Sequence, residues 1–338
     1  MSKIVILGSG SMGIAVSVLL DLNGHDVVMW TPIQEEADML NKTREHKDRL
    51  PGIKIPERIK CTTDFGEALK DIEAVILTVP SQRMRETAIR LKNYVDDETI
   101  LISCSKGIEE KTGMILTDVL KEELPRVKVA AISGPSYAIE IARQLPTALV
   151  CASSDPKVAL FGQNLFMNAN VRVYASDDML GVEIGGAIKN VIAFCAGISD
   201  GLGFGYNTKA ALITRGLTEI TRLGIAMGAE KSTFSGLTGM GDLILTCTGE
   251  YSRNRRAGIL VGEGMSVQEA IKEVNMVVEG VATARPAYEL SKKYNVSMPI
   301  ITQAYNIIHN GLKPKDAVVD LMSRDKKYED EDSYSVIS

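Results

Sequence analysis

Residues 181–198 read Gly-Val-Glu-Ile-Gly-Gly-Ala-Ile-Lys-Asn-Val-Ile-Ala-Phe-Cys-Ala-Gly-Ile, and beyond Glu183 their only charge is Lys189. A helix that is apolar around its circumference is a buried helix. An ammonium placed there loses hydration, and its pKa falls. A lysine brought towards neutrality suits general acid–base chemistry near pH 7; the competing reading is a structural lysine that snorkels to solvent. Asn190, next to it, carries both a donor and an acceptor for orienting a carbonyl. Further on, Gly236-Leu237-Thr238-Gly239-Met240-Gly241-Asp242-Leu243-Ile244-Leu245-Thr246-Cys247 is a loop running into an apolar helix. Asp242 falls where an N-cap is expected, and equally where a carboxylate would position the lysine. Ser252-Arg253-Asn254-Arg255-Arg256 follows. Its planar guanidinium forks and small polar side chains suit a phosphate; a solvated charged face is the other reading.

A second constellation lies at the start of the chain. Ile4-Val5-Ile6-Leu7 leads directly into Gly8-Ser9-Gly10-Ser11-Met12-Gly13 and then an amphipathic segment. This is Gly-x-Gly-x-x-Gly between a strand and a helix. Gly8 permits the tight turn, Gly10 lets a pyrophosphate approach the backbone, and Gly13 allows close helix–strand packing. The amides at the helix start then face the phosphates. Lys106, just beyond a strand in Ser105-Lys106-Gly107, and the Val79-Pro80-Ser81 loop point to the same crevice; an ordinary surface lysine is the competing reading of Lys106. The chemistry implied is hydride transfer between a nicotinamide and a carbonyl, with Lys189 supplying or removing the proton and no metal required.

These residues need a scaffold. Residues 4–7, 27–30, 75–79, 100–103 and 127–132 are continuous apolar runs, as expected of parallel strands covered on both faces. Residues 148–152 and 171–174 extend the set, and helical patterns lie between at 13–22, 83–94 and 114–123. Strand–helix alternation predicts a Rossmann-type doubly wound sheet. From about residue 177 to 322 only helical periodicity is found. The expected architecture is therefore α/β: a dinucleotide-binding domain over 1–178, an all-helical substrate and catalytic domain over 179–323, and a charged, flexible tail over 324–338.

Composition narrows the partners. The 338 residues carry a net charge of −5, which offers no attraction to nucleic acid or anionic membranes. An anionic substrate must be held by local cations. The five cysteines and three histidines show no metal-ligand spacing. No signal peptide is expected, nor an apolar run near the roughly 20 residues that span a bilayer. A reducing, cytoplasmic setting fits.

Taken in order, Ser133-Gly134-Pro135-Ser136-Tyr137-Ala138, Lys189-Asn190, Gly241-Asp242-Leu243 with Thr246-Cys247, Ser252-Arg253-Asn254-Arg255 and Val278-Glu279-Gly280 resemble the bacterial NAD(P)-dependent glycerol-3-phosphate dehydrogenases. The resemblance runs from the glycine loop to about Met322. It implies interconversion of dihydroxyacetone phosphate and sn-glycerol 3-phosphate, the backbone of glycerophospholipids, by a cytoplasmic homodimer. Lys189 matches the family's proton-transferring lysine, and Asn190, Asp242 and Thr246 complete the expected catalytic group. Lys106, Gly134, Ser136, Lys189, Asp242, Ser252, Arg253 and Asn254 match positions that hold the substrate. Ser11, Met12, Lys106, Ala138, Arg253, Val277 and Glu279 match cofactor contacts, beside Gly8, Gly10 and Gly13. Many members have Trp or Phe where Met12 stands, and usually a basic residue where this chain has Thr31-Pro32.

Two other readings compete. A β-hydroxyacid or 6-phosphogluconate dehydrogenase shares the plan, but there the catalytic Lys and Asn are usually four residues apart, not adjacent. A non-catalytic dinucleotide sensor would need only the glycine loop. For the cofactor, the second strand ends Trp30-Thr31-Pro32, with neither a carboxylate for the ribose diol nor an arginine for a 2′-phosphate. Thr31 can bond either ribose. The expectation is use of both NADH and NADPH, with less than about 100-fold discrimination, and with Lys42 or Arg44 available to tilt the balance to NADPH.

Overall fold

The computed structural model describes residues 3–326 and Glu329; most of the expected tail, 324–338, lies outside the described residues. Eight strands form one sheet: β1 (Lys3–Leu7), β2 (Asp26–Trp30), β3 (Lys60–Thr62), β4 (Ala74–Leu77), β5 (Ile100–Ser103), β6 (Lys128–Ser133), β7 (Thr147–Ala152) and β8 (Val171–Ser176). Their spatial order is β3-β2-β1-β4-β5-β6-β7-β8, the doubly wound order extended by two strands. Seven of these strands match the apolar runs in the sequence. β3 does not: only three residues long and lying at the sheet edge, Lys-Cys-Thr has no apolar run to reveal it.

The helices between the strands are α1 (Ser11–Leu22), α2 (Gln34–Thr43), α3 (Phe65–Ala68), α4 (Met84–Leu91), α5 (Leu116–Glu123), α6 (Ala138–Ala142) and α7 (Pro156–Phe166). The helical pattern at 83–94 resolves into a 3₁₀ turn, Ser81–Arg83, followed by α4. Side chains alternate between the two faces of β1. Ile4 and Ile6 pack with α1 residues such as Ile14 and Leu19, whereas Val5 and Leu7 pack with Met84, Leu91 and Leu116. All four are fully buried, which is why the strand reads as an unbroken apolar run.

All strand pairs are parallel except β6–β7. An antiparallel return needs no crossover to the far edge of the sheet. The connection at 134–146 therefore stays at the carboxyl end of β6, and it carries Gly134, Ser136 and Ala138 to the ligand edge.

From residue 179 on, the described residues form helices and turns only: α8 (Met179–Gly201), α9 (Tyr206–Met227), α10 (Lys231–Phe234), α11 (Asp242–Thr248), α12 (Arg253–Gly262), α13 (Val267–Val274), α14 (Glu279–Lys293), α15 (Pro299–His309) and α16 (Pro314–Met322). α8 starts on a cap, the Asp178 carboxylate accepting from Gly181 N at 2.9 Å. It corrects one expectation. With 23 residues and a mean hydropathy of 1.5, α8 is long and apolar enough to cross a bilayer by length and composition. Glu183 and Lys189 interrupt the run to the eye without lowering its average below that level. The apolar stretch is 89% buried among other helices, so its apolar surface is already covered.

α12 crosses α8 at very close range. A Cβ on Gly258 would lie 2.0 Å from the Phe194 carbonyl oxygen, and one on Gly197 2.0 Å from that of Arg255. Only glycine on both helices permits this contact. It sets the first turn of α12 beside the middle of α8.

Candidate active site

The site forms where the carboxyl edge of the sheet meets α8. Lys189 is 6% exposed, and its Nζ donates to Asp242 Oδ1 at 2.7 Å and to Thr246 Oγ1 at 2.6 Å. The Thr246 hydroxyl donates in turn to the Asp242 carbonyl at 2.6 Å. Asp242 does not cap its helix by a side-chain bond. A π-helical turn, Leu237–Gly241, precedes it and delivers the carboxylate to the lysines. The second carboxylate oxygen, Oδ2, accepts from Lys106 Nζ at 2.7 Å. Lys106 also donates to the Gly134 carbonyl at 2.9 Å and to Ser136 Oγ at 3.2 Å. One buried carboxylate thus bridges two lysines, one from each half of the chain.

Burial pushes the Lys189 ammonium down to about 8, the neighbouring Lys106 charge adds to the fall, and Asp242 opposes both. At neutral pH both protonation states lie within reach. With both lysines protonated, this cluster carries one net positive charge, a local attraction for an anion on an otherwise acidic chain.

The substrate-end residues divide. Ser252 caps α12, its Oγ accepting from Arg255 N at 3.2 Å. Asn254 is buried between Asn190 and α14: its Nδ2 donates to Asn190 Oδ1 at 2.9 Å, and its Oδ1 accepts from Gly280 N at 2.8 Å. Asn190 is therefore held by Asn254, and its own Nδ2 makes only a long 3.4 Å contact with the Gly186 carbonyl. Arg253, the first residue of α12, keeps solvent contact and feels Glu279 as attraction and Arg49 as repulsion. Arg255 is committed elsewhere, donating through Nε and Nη2 to Asp200 at 2.7 Å.

The glycine loop fits a dinucleotide. Gly8 adopts φ +119°, in the left-handed region. A Cβ on Gly13 would strike the Gly8 carbonyl at 1.9 Å, whereas one on Gly10 meets nothing within 4 Å, leaving open space where a pyrophosphate must approach. α1 begins at Ser11 with no side-chain cap, so its first amides are not satisfied by one. Met12 packs partly into the core and, with Lys106 and Ser136, lines a small pocket that Val16 and Leu19 of α1 also line. Ala138 opens α6, Val277 is exposed just before α14, and Glu279 reaches back to accept from Ser81 N at 3.0 Å and from Ser81 Oγ.

Glu36 and His46, at this edge, escape the sequence reading, and they change the setting of Thr31. Thr31 is buried, and its hydroxyl is donated at 2.6 Å to Glu36, which also accepts from Ser9 Oγ and pairs with His46. Glu36 belongs to the first turn of α2, where an acid has an ordinary explanation in the helix dipole. Nothing in its spacing singled it out.

Family models described as the N-terminus and the C-terminus of NAD-dependent glycerol-3-phosphate dehydrogenase match residues 3–159 and 178–319. The chain belongs to that family. It is 50% identical over 331 residues to a glycerol-3-phosphate dehydrogenase [NAD(P)+] of Fusobacterium nucleatum, covering 97% of this chain and 99% of that protein. A protein of the same name from Agathobacter rectalis is 48% identical, covering 97% and 98%. Among solved structures, glycerol-3-phosphate dehydrogenase from Coxiella burnetii aligns at a TM-score of 0.93 and 38% identity, covering 96% of this chain and 99% of that one. A D-mandelate dehydrogenase aligns at a TM-score of 0.64 but 12% identity, a likeness of fold alone.

Proposed function

We propose that this chain interconverts dihydroxyacetone phosphate and sn-glycerol 3-phosphate with NAD(H) or NADP(H), and that Lys189 moves the proton. The observation that carries the mechanism is the Lys189–Asp242–Lys106 bridge. A bound reduced nicotinamide supplies hydride to the substrate's carbonyl carbon. As negative charge grows on the carbonyl oxygen, the Lys189 ammonium donates its proton there; in the oxidative direction the neutral amine takes the hydroxyl proton. Asp242 and Thr246 aim Nζ, and Asn190, held by Asn254, orients the substrate.

Lys106, Gly134, Ser136, Ser252, Arg253 and Asn254 form the remaining substrate contacts. Arg253 at the start of α12 takes the phosphate, where its guanidinium acts together with the helix's free amides. Gly8, Gly10, Ser11, Met12, Gly13, Thr31, Lys106, Ala138, Arg253, Val277 and Glu279 hold the dinucleotide. The work divides at about residue 178, a reading supported by the two matched family segments. The protein acts as a cytoplasmic homodimer feeding glycerophospholipid synthesis; its five unpaired cysteines suit a reducing compartment.

The test is direct. Purified protein should consume NADH or NADPH with dihydroxyacetone phosphate and much more slowly with unphosphorylated dihydroxyacetone. Equal rates on the two ketones, or no consumption, would overturn the assignment.

A further inference from the structure

β2 ends without a charged residue, yet a carboxylate stands over that end. Glu36 folds back from α2 so that Oε2 accepts from Ser9 Oγ in the glycine loop at 2.7 Å and from Thr31 Oγ1 just past β2 at 2.6 Å. Its Oε1 lies 3.0 Å from His46 Nε2. Ser9, Thr31 and His46 are buried, while the Glu36 side chain keeps 18% of its surface open. Among the described residues the His46 ring has no hydrogen-bond partner at Nδ1, so its polar contact is the one to Glu36. β1 and β2 are adjacent and parallel, and the carboxylate bridges the residues that follow both. In sheets of this winding the pyrophosphate lies on the turn after β1, and the adenosine ribose lies at the end of β2.

Two nearby arginines are engaged, and the lysine of α2 is distant. Arg44 donates to the Pro56 and Ile59 carbonyls. Arg49 donates to the Asn275 carbonyl at 3.2 Å. Lys42 closes the other end of α2, about 9 Å farther along the helix axis than Glu36.

We propose that Glu36 reads the adenosine ribose and makes this chain favour the cofactor that lacks a 2′-phosphate. The inference rests on the dehydrogenase reading above and gives it a direction of cofactor preference. The 2′- and 3′-hydroxyls of the ribose donate to the carboxylate, taking the place of Ser9 and Thr31, whose hydroxyls then turn to other acceptors. A 2′-phosphate has no hydroxyl to give at that position and sets roughly two negative charges against the carboxylate. A partly buried pair of like charges is poorly screened by salt.

The experiment is calorimetric titration of the full chain with NADH and NADPH, and separately with 5′-AMP and adenosine 2′,5′-bisphosphate, for wild type and Glu36→Gln. Wild type should bind NADH about 10-fold or more tighter than NADPH, because the carboxylate gains a diol from one and meets a like charge in the other. The two adenosine fragments should rank the same way. Glu36→Gln keeps the shape and an acceptor but loses the charge, and should bring the two dinucleotides within about 3-fold, mainly by tighter NADPH binding. Wild-type NADPH binding as tight as NADH, fragments bound alike, or an unchanged ratio in the variant would overturn the inference. The wild-type fragment pair decides the matter even if the variant folds poorly. If neither dinucleotide binds, the dehydrogenase reading falls, and this inference falls with it.

Discussion

Lys189 carries a charge that its surroundings disfavour, and Asp242 is what keeps that charge within reach of neutral pH. Removing the lysine leaves Asp242 still paired to Lys106, so Lys189→Ala should fold. Its turnover should drop by roughly 10²-fold or more while dinucleotide binding survives; wild-type turnover in the purified variant would sink the assignment. Arg253 is the one arginine of its cluster proposed to meet substrate, since Arg255 is spent on Asp200. Arg253→Ala should therefore depress kcat/KM for dihydroxyacetone phosphate far more than any residual rate on dihydroxyacetone. Equal losses on both would make it a cofactor or structural residue. The lysine is legible in the sequence because it is the lone charge after Glu183 in an apolar stretch. Glu36 is not, because its significance lies in a fold-back that joins residues 9, 31 and 46, and no local spacing encodes that.

At the scale of elements, the decisive contact is the crossing of α8 and α12. Asn190 and Lys189 belong to one helix, Arg253 and Asn254 to the other, and the Asn254–Asn190 bond at 2.9 Å exists only because glycines let the backbones meet. Gly258→Ala places a methyl where the Phe194 carbonyl stands. Overpacking of this kind costs about 1–3 kcal/mol, occasionally more. A lower thermal midpoint and a loss of kcat/KM should appear together, because separating the helices moves the phosphate end from the proton donor. A variant with unchanged midpoint and activity would show that the crossing does not position the site. Seven of the eight strands and α8 are readable as apolar runs; β3 is not. The crossing is not, because glycines in two helices look like poor helix formers until their partner is known. The π-helical turn before Asp242 is hidden in the same way, its glycines reading only as a loop.

At the scale of the whole molecule, neither half holds all of the proposed site. Lys106, Gly134 and Ser136 come from the sheet edge; Lys189, Asp242 and Arg253 come from the helices. The seam is tied by Glu279 to Ser81, by Arg49 to the Asn275 carbonyl, and by Glu183 to Thr117 N at 3.1 Å. Glu183 is buried there, and burial pushes it up to about 7. The two-part architecture is visible in the sequence as a change from alternating strands to helices, but the seam contacts are long-range and leave no pattern. The central claim is that Lys189, held by the carboxylate that bridges this seam to Lys106, transfers the proton, and its pKa near 8 gives that claim a sign. Reduction needs the ammonium and oxidation needs the amine. The most direct measurement is kcat/KM against pH in both directions, for wild type and Lys189→Ala. Reduction of dihydroxyacetone phosphate should fall as pH rises through about 8, and oxidation of glycerol 3-phosphate should rise through the same pH, with both transitions lost in the variant. Profiles that move in the same direction, or that persist without Lys189, would contradict it.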